Sequence, residues 1–142
     1  MNYVTALVQL PLVRELNKES IRSPEDVVRV CADISNLAQE TFHVLMLNTK
    51  SYLINRQMIT IGLVDASLVH PREVFRQAIV ENATAILLVH NHPSGDPTPS
   101  AEDIKITKQL IKTGIILNIM VQDHVIIGDQ SYSMKEHGIV EF

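Results

Sequence analysis

The chain has 142 residues, of which 46% are hydrophobic and 20% are charged, a composition that favours one globular domain and argues against an intrinsically disordered chain. The formal net charge of −4 gives no support to nucleic-acid binding, which usually needs clustered basic residues, and the single cysteine excludes an internal disulfide. No apolar run approaches the roughly 20 residues that cross a bilayer, and the N-terminus lacks the basic segment of a secretory signal. We therefore expect a cytoplasmic protein without a membrane partner.

The first predicted elements are an N-terminal extension and a helix. Residues 1–20 mix apolar and charged side chains and form the extension. The run Ser23-Pro24-Glu25-Asp26 predicts a helix start, with serine as N-cap, proline at the first helical position and acidic residues in the first turn. Apolar residues at helical spacing continue this helix to about Ala38.

A hairpin and a second helix are predicted next. Residues 41–48 and 52–62 are rich in β-branched and apolar residues, and the polar break between them indicates an antiparallel hairpin. Residues 71–82 predict a helix. The side chains that we expect this helix to bury are Val74, Phe75, Ala78 and Ile79.

The second half of the chain predicts further strands around one long helix. Residues 84–89 form a continuous apolar strand that we expect to be covered on both faces. Residues 101–113 predict a helix that Gly114 ends at its C′ position. Residues 115–121 and 124–127 predict strands, and a short C-terminal segment of helical character follows. This order predicts an α/β fold in which a mixed β-sheet is flanked by helices.

Four polar residues between the apolar strand and the long helix suggest a metal site. His90 and His92 are two apart on a strand, so both imidazoles face the same side. Ser100 is placed as the N-cap of the helix, and Asp103 lies in its first turn, where the helix dipole favours a carboxylate. Without the histidines, the last two would be an ordinary capping pair. Two imidazoles and one carboxylate suit Zn²⁺ with a fourth position open to water, which is typical of catalytic zinc.

A hydrolytic zinc site also needs a general base outside the ligand set. Glu40 stands apart from other glutamates because it lies at the mouth of an apolar strand rather than on a helix surface. The alternative is a solvated carboxylate at a strand end, and spacing alone does not decide between the two. The other candidates are Glu25, Glu73, Glu81, Glu102, Glu136 and Glu141.

The spacing His90-x-His92, seven residues, Ser100, two residues, Asp103 resembles the JAMM (MPN+) metalloprotease motif. The flanking segments resemble the RadC family, and the similarity runs from about residue 3 to the C-terminus. These segments are Leu45-x-Leu47-Asn48-x-Lys50, Val69-His70-Pro71-Arg72-Glu73-Val74-Phe75, His90-Asn91-His92-Pro93-Ser94-Gly95 and Asp123-His124-x-Ile126-x-Gly128. The resemblance implies a JAMM/MPN+ metallohydrolase domain of cytidine-deaminase-like architecture in residues 21–142.

The resemblance also implies a role for each site residue. His90, His92 and Asp103 would bind Zn²⁺, and Glu40, in the segment Glu-x-Phe-x-Val-Leu-x-Leu, would be the general base. Ser100 would hydrogen-bond the tetrahedral intermediate or orient the water, as an oxyanion donor does. The implied activity is hydrolysis of a peptide or isopeptide bond.

The chain departs from these families in two ways. Asn91 stands where many JAMM proteases have serine or threonine, and we expect its side chain to point away from the ligands and leave the metal site intact. RadC proteins typically carry an N-terminal helix-hairpin-helix region, which this chain is too short to include. We therefore expect a stand-alone catalytic domain, and a DNA-repair role loses support.

Two alternative functions remain at this point. One is a metal-dependent nuclease, and the other is a non-catalytic binding module of DNA-repair complexes in which the metal only stabilises the fold. The row Lys105, Lys108 and Lys112 predicts a solvated helix face rather than a phosphate-binding track. The sequence indicates neither the peptide or protein substrate nor the oligomeric state.

The histidines outside the motif favour structural roles. His43 and His124 lie within apolar strands and are predicted to be buried with their ring nitrogens satisfied. For His124 the alternative is a second role, as a hydrogen-bonding partner of a metal ligand.

Overall fold

The computed structural model describes residues 19–62, 64 and 67–142, and these form an α/β domain. The helices are α1 (Pro24–Val30), α2 (Pro71–Val80) and α3 (Ala101–Leu117), with a short 3₁₀ turn at Ala32–Ile34. The strands are β1 (Thr41–Leu47), β2 (Leu53–Ile61), β3 (Ala85–Asn91), β4 (Met120–Ile127) and β5 (Ser131–Ser133). The predicted fold class is confirmed.

The five strands form one mixed sheet in the order β2-β1-β3-β4-β5. The predicted hairpin is confirmed as β1 and β2, which pair antiparallel, and β1 also pairs antiparallel with β3. Strands β3 and β4 are parallel, and α3 connects them. Every residue of β1 and β3 is buried, because each strand has a neighbour on both sides and is covered on both faces.

Alternate residues of β3 contribute to two separate cores. Ile86 and Leu88 pack with α2 and α3 on one face of the sheet. Leu87 and Val89 pack with α1 on the other face. Since side chains alternate along a strand, His90 continues the α2/α3 face and Asn91 continues the α1 face. The first face therefore carries the predicted metal ligands.

Helix α1 begins as predicted and ends early. Ser23 and Asp26 form a reciprocal capping box, with the Ser23 hydroxyl 3.3 Å from the Asp26 amide. The helix stops at Val30, whose carbonyl accepts a hydrogen bond of 3.2 Å from Arg56 on β2. The prediction of a helix to Ala38 was wrong, because the hydrogen bond that caps the helix comes from a distant strand. The apolar Ile34 is still buried, but it lies in the 3₁₀ turn.

Helix α2 lies where it was predicted, but its buried face is narrower. Val74, Phe75 and Ala78 are buried as expected, whereas Ile79 is 53% exposed. Only the first three of these side chains belong to the core that α2 forms with the sheet and α3. The helix ends at Val80, and Asn82 follows in the left-handed conformation.

Helix α3 extends beyond its predicted end. Gly114 lies inside the helix, and a Cβ there would be 2.5 Å from the Ile119 carbonyl oxygen. This glycine therefore permits close packing of the returning chain, and Asn118, at φ 56°, ends the helix instead. Residues 115–117, predicted as strand, are helical, and one continuous strand, β4, replaces the two that were predicted.

Residues 1–18 of the predicted extension lie outside the described residues, and Ser20 forms an antiparallel bridge with Tyr52. The C-terminal segment is strand β5 followed by turns, and the helical character predicted there was wrong. None of the described helices has the length and apolarity needed to cross a membrane.

Candidate metal centre

The structure brings His90, His92 and Asp103 together at the end of β3. The Nε2 atoms of the two histidines are 2.8 Å apart. His90 Nε2 is 3.3 Å from Asp103 Oδ1, and His92 Nε2 is 3.3 Å from Asp103 Oδ2. The side chains of His90 and Asp103 are buried, and that of His92 is 12% exposed, so the cluster has one side near solvent.

Local backbone structure explains why these side chains meet. The His92 amide donates to the Ile127 carbonyl at 2.8 Å, which continues the β3–β4 pairing past the end of β3. Gly95 then reverses the chain with φ of 88°, a conformation that side chains rarely adopt. The chain enters α3 through a second capping box, in which the Ser100 amide donates to Asp103 Oδ2 at 2.8 Å. The box turns the carboxylate toward the histidines.

The proton of His90 is placed by a buried chain of hydrogen bonds behind it. The Thr107 hydroxyl donates to the Asp103 carbonyl at 2.6 Å and so accepts from His124 Nδ1, also at 2.6 Å. His124 is fully buried, and burial holds its pKa well below the ordinary value, so its ring carries a single proton. His124 Nε2 therefore accepts from His90 Nδ1 at 2.7 Å. This arrangement leaves a lone pair on His90 Nε2 that points at the centre.

His92 has the same arrangement with a different partner. Its Nδ1 donates to the Asp96 carbonyl at 2.8 Å, which leaves Nε2 facing His90. Burial acts to raise the pKa of Asp103, but the His90 and His92 rings, which donate to its carboxylate whenever Nε2 carries a proton in place of a metal, hold it below the ordinary value. The Asp103 hydrogen bond in turn raises the pKa of His92.

These donors fit a divalent cation. The ligand atoms of His90, His92 and Asp103 all lie within 4.8 Å of one another. Two imidazole lone pairs and a carboxylate at such distances repel unless a proton or a cation lies among them. A set of two nitrogens and one oxygen is typical of zinc and similar metals, and three protein ligands leave a coordination position for water.

Glu40 lies at the rim of the centre, just before β1. Phe42 pairs with His90 in the antiparallel register, and Glu40 lies two residues before Phe42, at the same end of the sheet as His92. Its negative charge contributes to the raised pKa of His92, after the larger effect of the Asp103 carboxylate, which accepts from the protonated His92 ring. The carboxylate accepts from the Val64 amide at 2.9 Å. Glu40 therefore lies close enough to His92 for its charge to act on that ring, and its role as base stays a prediction.

Ser100 is exposed at the start of α3, beside the carboxylate of Asp103. Its hydroxyl accepts from the Asp103 amide at 3.1 Å, which confirms the predicted capping role. Its second role, as a donor to an oxyanion, stays a prediction.

The other residues considered in the sequence are not part of the ligand trio. His43 is buried between Arg56 and Thr41, as expected, and burial lowers its pKa to about 4. The lysine row of α3 is exposed to solvent. Cys31 is fully buried, and burial raises the pKa of its thiol to about 11.

Two supporting residues were missed in the sequence. Thr107 lies one helical turn after Asp103 on the same face of α3, a spacing that offered a weak signal. Asn91 points away from the ligands, as predicted, but it also holds the chain on both sides of Glu40 through hydrogen bonds to residues 39 and 41. Side-chain alternation gave no sign of these bonds, because they depend on the position of β1.

Comparisons with known proteins found one matching family model and relatives that share about half of their aligned residues with the chain. A family model described as the RadC-like JAB domain matches residues 21–139. The chain is 52% identical over 125 residues to a UPF0758 protein of Caldanaerobacter subterraneus subsp. tengcongensis, covering 87% of this chain and 54% of the relative. It is 50% identical over 145 residues to a UPF0758 protein of Geobacillus sp., covering 96% of this chain and 64% of the relative. A UPF0758 protein of Listeria monocytogenes is 49% identical over 132 residues, covering 92% of this chain and 59% of the relative. The chain thus spans somewhat over half the length of these relatives.

Proposed function

The chain belongs to the family of RadC-like JAB domains, and on that premise we propose that it is a zinc-dependent metallohydrolase that cleaves peptide or isopeptide bonds. The observation that carries the proposal is the convergence of two imidazole lone pairs and the Asp103 carboxylate beside a second carboxylate, Glu40. A ligand trio with a nearby non-ligand carboxylate is the arrangement that metal-assisted hydrolysis of an amide needs.

The residues that would hold zinc are His90, His92 and Asp103. Zinc bound there would polarise the scissile carbonyl and lower the pKa of a water molecule to about 7. The hydrogen bonds that His90 donates to His124 and that His92 donates to Asp96 keep both Nε2 lone pairs directed at the centre. Burial of Asp103 and His90 excludes bulk water from the back of the site.

Glu40 is suited to move the proton. One of its oxygens accepts from the Val64 amide, which fixes the carboxylate, and its charge acts on His92. In this proposal Glu40 takes the proton from the attacking water and delivers it to the leaving amine.

Ser100 is suited to stabilise the developing oxyanion. Among the hydrogen bonds of the described residues its hydroxyl oxygen accepts one, from Asp103, and its own hydrogen is available to a substrate. The removal of one such donor typically lowers kcat by about 10²- to 10³-fold.

A panel of substrates tests the proposal. Zinc-loaded wild-type protein and Glu40→Gln are incubated with fluorogenic peptides, with peptides joined through a lysine side chain, and with labelled DNA. We expect hydrolysis of amide bonds that falls by about 10²-fold or more in Glu40→Gln, and no cleavage of DNA. Glu73→Gln, the same change on the exposed surface of α2, is the matched control.

The other outcomes contradict the proposal in distinct ways. Cleavage of DNA that His92→Ala abolishes, without cleavage of any amide, would identify a phosphoester hydrolase. No turnover of the panel by protein that contains one zinc would favour the non-catalytic binding module.

A further inference from the structure

The side of β3 opposite the metal ligands carries a buried amide that reaches β1. Asn91 is 1% exposed, and its Oδ1 accepts from both the amide and the hydroxyl of Thr41, each at 2.8 Å. Its Nδ2 donates to the Gln39 carbonyl at 2.9 Å. Both lone pairs of Oδ1 are used, and the two residues that Asn91 binds are the ones that flank Glu40.

These bonds continue the contact between β1 and β3 beyond the point where regular pairing stops. The last pair of the antiparallel register is Phe42 with His90. Past that pair, the side chain of Asn91 takes the place of ladder hydrogen bonds and links β3 to the peptide groups on each side of Glu40.

A directed chain of hydrogen bonds supports Asn91 from behind. Arg56 can only donate, and its Nε lies 3.4 Å from His43 Nδ1, so the neutral His43 ring carries its proton on Nε2. His43 Nε2 then donates to the Thr41 hydroxyl at 2.9 Å. The hydrogen of that hydroxyl is left for Asn91 Oδ1, so each donor in the chain has an acceptor.

This series of hydrogen bonds begins at the protein surface, with the ion pair between Asp33 and Arg56. Both oxygens of Asp33 accept from the Arg56 guanidinium at 2.7 Å, and the guanidinium also donates to the Val30 carbonyl. The series Asp33, Arg56, His43, Thr41, Asn91 thus connects the end of α1 with the start of β1.

We propose that Asn91 is a positioning residue, which holds Glu40 at the rim of the metal centre through the peptide groups before and after it. The inference rests on the proposed function, in which Glu40 is the general base. One strand thereby serves both parts of the site: His90 and His92 face the metal on one side, and Asn91 holds the base from the other.

Amide hydrogen exchange tests the position of Glu40 without a substrate or a metal. The Val64 amide donates to the Glu40 carboxylate, and the Gly62 amide donates to the Glu40 carbonyl. In Asn91→Ala we expect both amides to exchange at least about tenfold faster, relative to amides of β3 such as Val89. Ser133→Ala, which removes a buried hydrogen bond to Asp123 elsewhere, is the matched control and should change all amides together.

A second variant covers the case in which Asn91→Ala does not fold. Thr41→Val removes the hydroxyl with its bonds to Asn91 and His43 but keeps the Thr41 amide bonded to Asn91, so Val64 exchange should accelerate by a smaller factor. Unchanged exchange of Val64 in whichever of these variants folds would overturn the inference.

Kinetics on a cleaved panel substrate separate this inference from the proposed function. We expect Asn91→Ala to lower kcat toward the Glu40→Gln value with KM and zinc content unchanged, and Asn91→Ala/Glu40→Gln to be no slower than Glu40→Gln alone. Faster Val64 exchange in Asn91→Ala, together with no cleavage of any substrate by the wild type, would support the positioning role of Asn91 and contradict the proposed function. A wild-type kcat in Asn91→Ala would contradict the positioning role of Asn91 and leave the proposed function intact.

Discussion

His90 presents an unprotonated Nε2 to the metal centre because residues behind it determine where each proton lies. The Thr107 hydroxyl gives its hydrogen to a backbone carbonyl, and this makes it an acceptor for His124. His124 in turn accepts from His90. The position of the proton on His90 therefore depends on Thr107, which is fully buried and is not one of the ligand residues.

This dependence gives a prediction for Thr107→Val. Without the hydroxyl, His124 Nδ1 loses its acceptor, and the ring is no longer held in the tautomer that accepts from His90. We expect the affinity for zinc to fall by about ten- to a hundredfold, as is typical when an outer partner of a metal-binding histidine is removed. Competition with a chelating dye measures the affinity.

Thr113→Val is the matched control, since Thr113 lies on the same helix and its hydroxyl bonds only to the Gln109 carbonyl at 3.0 Å among the described contacts. Equal affinities in wild type and Thr107→Val would show that the proton placement has no influence on the centre.

At the scale of elements, local patterns predicted what local contacts determine. The capping boxes at Ser23 and Ser100 lie within a few residues of sequence, and both helices begin where they were predicted. The two histidines and Asp103 likewise lie on either side of one turn, so their convergence was predictable. The link from Arg56 to the end of α1 joins residues that are 26 apart and leaves no local signal.

Gly114 and Asn91 also have roles that the local sequence does not reveal. Gly114 has the position of a helix end in the sequence, yet its function is to admit the Ile119 carbonyl. Asn91 satisfies the period-two pattern of a strand, and the pattern says nothing about the peptide groups of residues 39–41 that it binds.

Gly128 supports the loop that carries His92, and this gives a prediction at the element scale. A Cβ at Gly128 would lie 2.3 Å from the Gly95 carbonyl oxygen and 2.8 Å from the Gly95 carbonyl carbon. Because these contacts are with backbone atoms, they cannot be relieved by a side-chain rotation. Gly128→Ala should therefore displace the turn whose Asp96 carbonyl accepts from His92. We expect a loss of about 2 kcal/mol in unfolding free energy and zinc binding at least about tenfold weaker.

Gly114→Ala makes a comparable clash far from the ligands and serves as the control for this experiment. Urea unfolding and zinc titration of both variants should show similar destabilisation, with weaker zinc binding in Gly128→Ala alone. Wild-type zinc affinity in Gly128→Ala would contradict the role assigned to the turn.

At the scale of the whole molecule, the sheet separates two functions between its faces. The α2/α3 face of β3 carries the ligands, and the α1 face carries the hydrogen-bonded chain that ends at Asn91. The sequence predicted a mixed sheet between helices, but not the strand order, because the pairing of β1 with β3 joins segments about 40 residues apart. It is this pairing that brings Glu40 to the end of the sheet where His92 lies.

Metal content measures the central claim most directly. Wild type, Asp103→Ala and Glu40→Gln are purified without a histidine tag, loaded with zinc and freed of excess, and zinc per chain is measured by mass spectrometry. We predict about one zinc per chain in wild type and in Glu40→Gln, because Glu40 is not a ligand, and less than about 0.1 in Asp103→Ala. Stoichiometric zinc in Asp103→Ala would contradict the account.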